Sequence, residues 1–321
     1  MKEFLLRLFY WLGVDSLFYW LNRKAKRTLV FHNVLPDSMS GSILTNGCTM
    51  CLSDFKFVVR ELGRHFGFST DVFDPKTITL TFDDGYHNQY SVAYLFLRGE
   101  GIPACLFVSG DAISGKVLAI DKISLWFAVA PKEVIPGGDR QRFWNEVLWP
   151  RYCQDGANRG GNVVKYLDEL YPFDQLWRLL PAEFLKERIG GISKVELDEM
   201  RSHGWIVGWH TQTHSPLSTL SEAESRMELS PPEEMKGLPM SYPYGSEDLV
   251  GDRECDCAAG LGYPCAFANT HESMRNVSPY FMPRMHIWNF EKYDIHYEMS
   301  GLRFFVKHHR LLPVTRRNNA L

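Results

Sequence analysis

Seven short apolar runs, separated for most of the chain by stretches of helical spacing, constrain the fold more than any other feature of this 321-residue sequence. They are Thr28 to His32, Thr77 to Phe82, Ala104 to Val108, Trp205 to Trp209, Pro239 to Tyr242, Cys265 to Ala268 and Phe281 to Ile287. Such alternation reads as an α/β protein with a largely parallel sheet or barrel. Ser53 to Phe66 and Ile192 to His203 have apolar residues at helical spacing, with Ser53 and Ser193 placed as N-caps and Glu196 completing a capping box. Residues 111–191 separate two strand candidates by far more than an ordinary connection, so they read as an insertion. Trp126, Trp144, Trp149 and Trp177, with Pro and Gly punctuation between them, predict several short helices there.

A content of 45% hydrophobic and 23% charged residues excludes a disordered or fibrous chain. The net charge of −3 excludes attraction of the whole molecule to nucleic acid, and no nucleic-acid partner is expected. The charge is unevenly spread, at +4 over residues 1–27, +5 over residues 301–321 and therefore −12 between them. Seven cysteines make an odd number in a chain too large to need staples, which fits free thiols in a reducing compartment. Cys48 and Cys51, with Cys255 and Cys257, have spacings that match no known zinc finger, and small buried thiols are the simpler reading.

The segment Phe4 to Leu21 is aromatic and apolar, but Arg7 and Asp15 interrupt it, its apolar runs are too short for a bilayer, and no small-residue cleavage site follows. Two readings stay open: an amphipathic helix lying on a membrane surface ahead of the basic cluster 22–27, or a helix packed on the body by its aromatic face. The expected organisation is an N-terminal helix over 1–27, a main domain over 28–300 with the insertion at about 111–191, and a basic tail over 301–321. The expected location is the cytoplasm, in peripheral contact with the inner membrane face through these basic and aromatic ends.

Three strings carry chemistry. Thr81-Phe82-Asp83-Asp84-Gly85 ends a strand-like run; adjacent carboxylates on an extended chain point to opposite sides, so one can hold a cation while the other does something else. His210-Thr211-Gln212-Thr213-His214 follows another run, and two imidazoles four residues apart can meet on one side of a helical turn and present two nitrogens to one metal. With Asp84 as third ligand they form a catalytic site for a divalent transition metal. In Ser241-Tyr242-Pro243-Tyr244-Gly245 the proline and glycine permit a tight return that aims the Tyr244 N–H at a substrate oxygen. Taken singly, each string also reads as an ordinary surface turn.

Together, in this order, the three strings resemble the polysaccharide deacetylases, the NodB-homology carbohydrate esterases. Gly101 to Val108 and Leu197 to Gly204 are also similar to that family, as is the opening Val30 to Val34, so the resemblance runs from about Thr28 to about Ile287 outside most of the insertion. It implies a distorted (β/α) barrel with a helical insertion. Asp84, His210 and His214 would bind the metal, Asp83 would be the general base, and the Tyr244 N–H would help to hold the oxyanion. The acid that protonates the leaving amine would be His286, with His32 as rival on the barrel rim. Many members carry Arg where Ser241 stands, so Arg284 would supply that charge to Asp83 from another strand.

The resemblance implies a metal-dependent hydrolase that removes N-acetyl groups from an amino sugar in a bacterial glycan or a lipid-linked glycan precursor. Zinc is the expected ion, although two histidines and a carboxylate also accept Co, Ni, Mn or Fe. A sugar O-acetyl esterase or deformylase would use the same residues, and an inactive glycan-binding protein could share the fold. The intact acidic and histidine residues argue against the last.

Overall fold

The computed structural model describes residues 2–39, 48–270 and 278–314. Its strands are β1 (Arg27–Phe31), β2 (Asn33–Leu35), β3 (Thr49–Cys51), β4 (Gly67–Phe68), β5 (Thr77–Phe82), β6 (Cys105–Val108), β7 (Ile206–Trp209), β8 (Met240–Ser241) and β9 (Ala266–Phe267). One parallel sheet runs β1-β5-β6-β7-β8-β9, with β4 added beside β5, and β2 pairs β3 apart from it. β1 and β6 are buried along their whole length, as expected of strands covered on both faces, which explains why they read as continuous apolar runs.

The seventh run, Phe281 to Ile287, forms no strand of its own. Pro283 lacks an N–H, and the segment is reduced to single bridges on either side. Met282 pairs with β9, donating to the Ala266 carbonyl at 2.9 Å, and Met285 pairs with β1, donating to the Thr28 carbonyl at 2.7 Å. This short piece joins the last strand to the first and curls the sheet into a distorted (β/α) barrel.

Helices cover the outside. Ser193 caps Lys194–Ser202 with the capping box to Glu196 that its spacing predicts. The helix Leu52–Gly63 starts two residues earlier than a cap at Ser53 implies: Cys51 is its N-cap, and the Ser53 N–H is taken by Asp37 Oδ1 at 2.8 Å, so Ser53 is not the cap. Between β6 and β7 the insertion forms short helices around a core of its own that includes Trp126, Leu148, Leu167 and Leu176.

The N-terminal segment is two helices rather than one. Lys2–Trp11 and Val14–Leu21 are broken at Gly13, whose φ of +71° is left-handed, and they meet at 72°. Leu6, Asp15 and Phe18 face inward, and Tyr19 Oη lies 2.9 Å from Nδ1 of His296 on the helix Lys292–Met299. No single helix among the described residues is long and apolar enough to cross a membrane. The expected basic tail is also partly structured: Leu302–His308 is a helix with Leu302 and Phe304 buried, while Arg316 and Arg317 lie outside the described residues.

Candidate active site

Strand register brings the chemistry to one rim. Phe31 pairs with Phe82 and Val108 with Trp209, so the residues that follow them, His32, Asp83 and His210, leave the sheet at the same end. The Asp83 N–H still donates to the Phe31 carbonyl at 3.1 Å. The chain then turns sharply, with φ of +83° at Asp84 and +88° at Gly85, so the two carboxylates do not sit on an extended segment. A Cβ on Gly85 would lie 3.1 Å from Val108 Cγ1 and 3.2 Å from its Cβ, a tight approach that, with the left-handed φ, favours glycine. The histidine motif is likewise an irregular loop and not a helical turn, with Thr211 and His214 at φ of +64° and +58°. Of the six non-glycine residues with positive φ among the described residues, Asp84, Thr211, His214 and Tyr244 belong to these three motifs, which concentrates backbone strain at one site.

Asp84, His210 and His214 are all buried, and their ligand atoms lie within 4.8 Å of one another. Asp84 Oδ1 is 3.3 Å from His210 Nε2 and 3.1 Å from His214 Nε2 but accepts no hydrogen bond. Nδ1 of His210 lies 2.8 Å from the Ser241 carbonyl, which can only accept, so the ring donates there. In the neutral ring the Nε2 lone pair then faces the Asp84 oxygen. Acceptors converging without a donor between them fit a divalent cation, and a two-histidine, one-carboxylate set leaves positions open for substrate. Burial works to raise the Asp84 pKa, but His214 and His210 outweigh it and hold the carboxyl well below its usual range. Burial also works to lower that of His214, and Asp84 reverses it.

Asp83 has different surroundings. Arg284 donates to Asp83 Oδ1 at 2.8 Å through Nη1 and to Oδ2 at 2.6 Å through Nη2, while Ser241 Oγ donates to Oδ2 at 3.1 Å. The guanidinium is itself fully buried and fixed, its Nε donating to the Ala268 carbonyl at 2.9 Å and Nη1 to Thr81 Oγ1 at 3.1 Å. Burial tends to raise the Asp83 pKa, but Arg284 and His210 bring it below the ordinary value. The result is an ionised carboxylate of fixed orientation beside the Asp84, His210 and His214 cluster.

The third motif closes the site. Tyr244 has a φ of +60°, the Gly245 N–H turns back to the Pro243 carbonyl at 2.6 Å, and the Tyr244 N–H has no acceptor among the described residues. The Tyr244 ring stands edge-on to His214, with centroids 4.8 Å apart, and its hydroxyl donates to Tyr152 Oη of the insertion at 2.9 Å. Trp149, also of the insertion, meets the same ring at 5.3 Å. His32 and His286 line one small cavity with Asn33, Cys48 and Phe290, and His286 stacks on Trp288 at 5.1 Å. Burial lowers the His32 pKa against the pull of Asp84 and Asp83.

Several residues that hold the site carry no signal in the sequence. Gln89 Nε2 donates to the His32 carbonyl at 2.8 Å and also to that of Asp83. Glu228, fully buried, accepts from the Thr213 N–H and hydroxyl, both at 2.8 Å, and so fixes the loop between the two histidines. Asp121 of the insertion accepts from Tyr86 Oη at 2.9 Å and pairs with Arg188 at 3.3 Å; burial pushes its carboxyl up to about 6 against Arg188. None lies in a recognisable string, and only the burial of a polar or charged side chain in three dimensions marks them.

A second group of potential ligands, Glu61, His65 and His296, lies under the N-terminal helices. There Arg64 and Lys292 already pair with Glu61, so cations occupy the place that a metal would take. None of the seven cysteines forms a disulfide, and none falls in a metal-sized cluster among the described residues.

A profile described as polysaccharide deacetylase matches residues 70–263, more than half of the chain. Among solved structures, the chain is similar to the Streptococcus pyogenes deacetylase PplD in complex with acetate, at 15% identity and a TM-score of 0.53, over 85% of this chain and 97% of that one. It is also similar to IcaB from Ammonifex degensii, at 16% identity and a TM-score of 0.51, again over 85% and 97%. At such identities the likeness establishes the barrel fold. No curated protein matches the chain.

Proposed function

The chain belongs to the polysaccharide deacetylase family, and on that premise we propose that it is a divalent-metal-dependent hydrolase removing N-acetyl groups from an amino sugar in a bacterial glycan or its lipid-linked precursor. The observation that carries this reading is the buried meeting of Asp84, His210 and His214 beside an Asp83 clamped by Arg284. Those three residues would hold the ion, with zinc the first choice. When bound, it would supply Lewis-acid chemistry, acidifying a water and polarising the acetamide carbonyl.

The remaining work falls to the chain. Asp83, kept ionised and fixed by Arg284, takes a proton from the attacking water. The Tyr244 N–H, free of any described acceptor, donates to the carbonyl oxygen as negative charge develops on it. An amine leaves poorly unless it is protonated, and the proton comes from the wall that carries His286 and His32. Trp149 and Tyr244 present aromatic surface beside the ligands, suited to a sugar ring.

Acetate release from a panel of N-acetylhexosamine oligomers tests the reading, with His286→Ala and His32→Ala run alongside. Loss of about 10²–10⁴ in rate in one of the two variants identifies the acid. Equal rates in both, with O-acetyl sugars turned over faster, would replace the amide by an ester substrate.

A further inference from the structure

We propose that the outer face of the N-terminal helix pair is a membrane-docking surface that lies in the headgroup region of an anionic bilayer. The inference is independent of the chemistry at the barrel rim. Each helix is two-faced. On Lys2–Trp11 the side chains of Leu6 and Tyr10 turn to the body, where the Tyr10 ring lies 5.4 Å from that of His296, while Phe4, Leu8 and Trp11 follow the opposite stripe. On Val14–Leu21, Asp15 and Phe18 are buried, while Leu17 and Trp20 point away.

These outward residues are large and bare. Trp11 is 83% exposed, Leu12 69%, Phe4 68% and Trp20 59%. The body cannot cover them, because both helices already use their other face on it: the Tyr10 ring of the first lies 5.4 Å from that of His296, and Phe18 of the second packs on Phe305 at 5.0 Å. Contiguous apolar surface of this kind marks an interaction site.

Charge and geometry select the bilayer as occupant. Arg23 lies over the Trp20 ring at 4.6 Å and Lys24 and Arg7 are exposed; of the two acids in the pair, Asp15 is buried and only Glu3 reaches the surface, so the exposed charge is net positive. Tryptophan and cationic side chains around an aliphatic stripe suit the boundary between acyl chains and anionic headgroups. Neither helix, of 10 and 8 residues, spans about 30 Å of hydrocarbon alone; the two together have the length and composition of a span, but the 72° bend between them and the burial of Leu6, Asp15 and Phe18 against the body favour a pair that lies on the surface. The segment leads directly into β1 at Arg27, the end of that strand opposite His32, so docking leaves the reactive rim uncovered.

Co-sedimentation of the full chain with vesicles of phosphatidylcholine alone, or mixed with phosphatidylglycerol, tests the proposal. The chain is expected to pellet with the anionic vesicles at low salt and to be released as salt rises. Trp11→Ser with Leu12→Ser should weaken binding by at least about tenfold, and Arg23→Glu with Lys24→Glu should remove the preference for the anionic lipid. All four side chains are exposed, and thermal unfolding verifies that the variants remain folded. A chain that stays in the supernatant at low salt, or variants that bind as the parent does, would overturn the proposal. A parent dimer that Trp11→Ser with Leu12→Ser converts to monomer would assign the face to a second copy instead.

Discussion

Asp83 and Asp84 are consecutive, yet Arg284 neutralises one through two parallel hydrogen bonds while the other faces two imidazole nitrogens and no donor. Their division of labour rests on the left-handed turn at Asp84 and Gly85, which an alternating strand could not have supplied. Arg284→Ala would leave a buried carboxylate unpaired, so it is expected to lower stability by about 3–5 kcal/mol in urea unfolding as well as activity. Arg284→Lys keeps the charge but not the fork, and it should retain the fold and the bound metal while reducing turnover. Turnover equal to the parent in Arg284→Lys would remove the fixed orientation of Asp83 from the account. The types of the site residues were legible in the sequence because TFDDG, the spaced histidines and YPYG are contiguous strings. The pairing of Asp83 with a residue 201 positions away was legible only through the resemblance, since nothing local to Arg284 marks it.

At the scale of elements, the loop carrying the two histidines owes its shape to Glu228, which sits behind it on the helix Glu222–Leu229. Glu228→Gln retains the volume and removes one acceptor, and a fall of about 10–100-fold in metal affinity is expected by titration calorimetry. Unchanged affinity would mean that the positive-φ residues hold the loop unaided. The docking of the N-terminal pair is governed by another buried group, His296, which faces Glu61, His65, Lys292, Tyr10 and Tyr19. Burial lowers its pKa below 6.5, with Glu61 opposing and His65 adding to the fall. Its neutral form therefore contributes stability that is complete above the unfolded value of about 6.5 and is lost as pH falls below it. Protection of the amides over 3–21, measured as exchange relative to the intrinsic rate at each pH, should fall between pH 7 and pH 5, and unchanged protection would contradict this. Sequence periodicity gave the apolar character of that segment but missed its division, because the helix break at Gly13 needs only one left-handed residue. The cap at Cys51 was missed for a similar reason: Asp37, far back in the chain, claims the Ser53 N–H.

Across the whole molecule, the parallel sheet was legible in the alternating runs, because alternation is a property of composition over many residues. Closure of the barrel was not visible in this way. It depends on Met282 and Met285 each reaching a different strand around Pro283, and the same segment delivers Arg284 and His286 to the rim. The family profile ends at residue 263, so the clamp on Asp83 comes from outside the part of the chain that the profile describes. The barrel, its closing segment and the insertion together bring Asp84, His210 and His214 to one buried place where they could hold a cation. The most direct test is acetate release and metal content measured on the same preparation before chelation, after it, and after zinc is restored, with Asp84→Asn in parallel. One bound ion per chain is expected, with activity lost and regained with it, and neither ion nor activity in Asp84→Asn. Release that persists after chelation, or in Asp84→Asn, would contradict it.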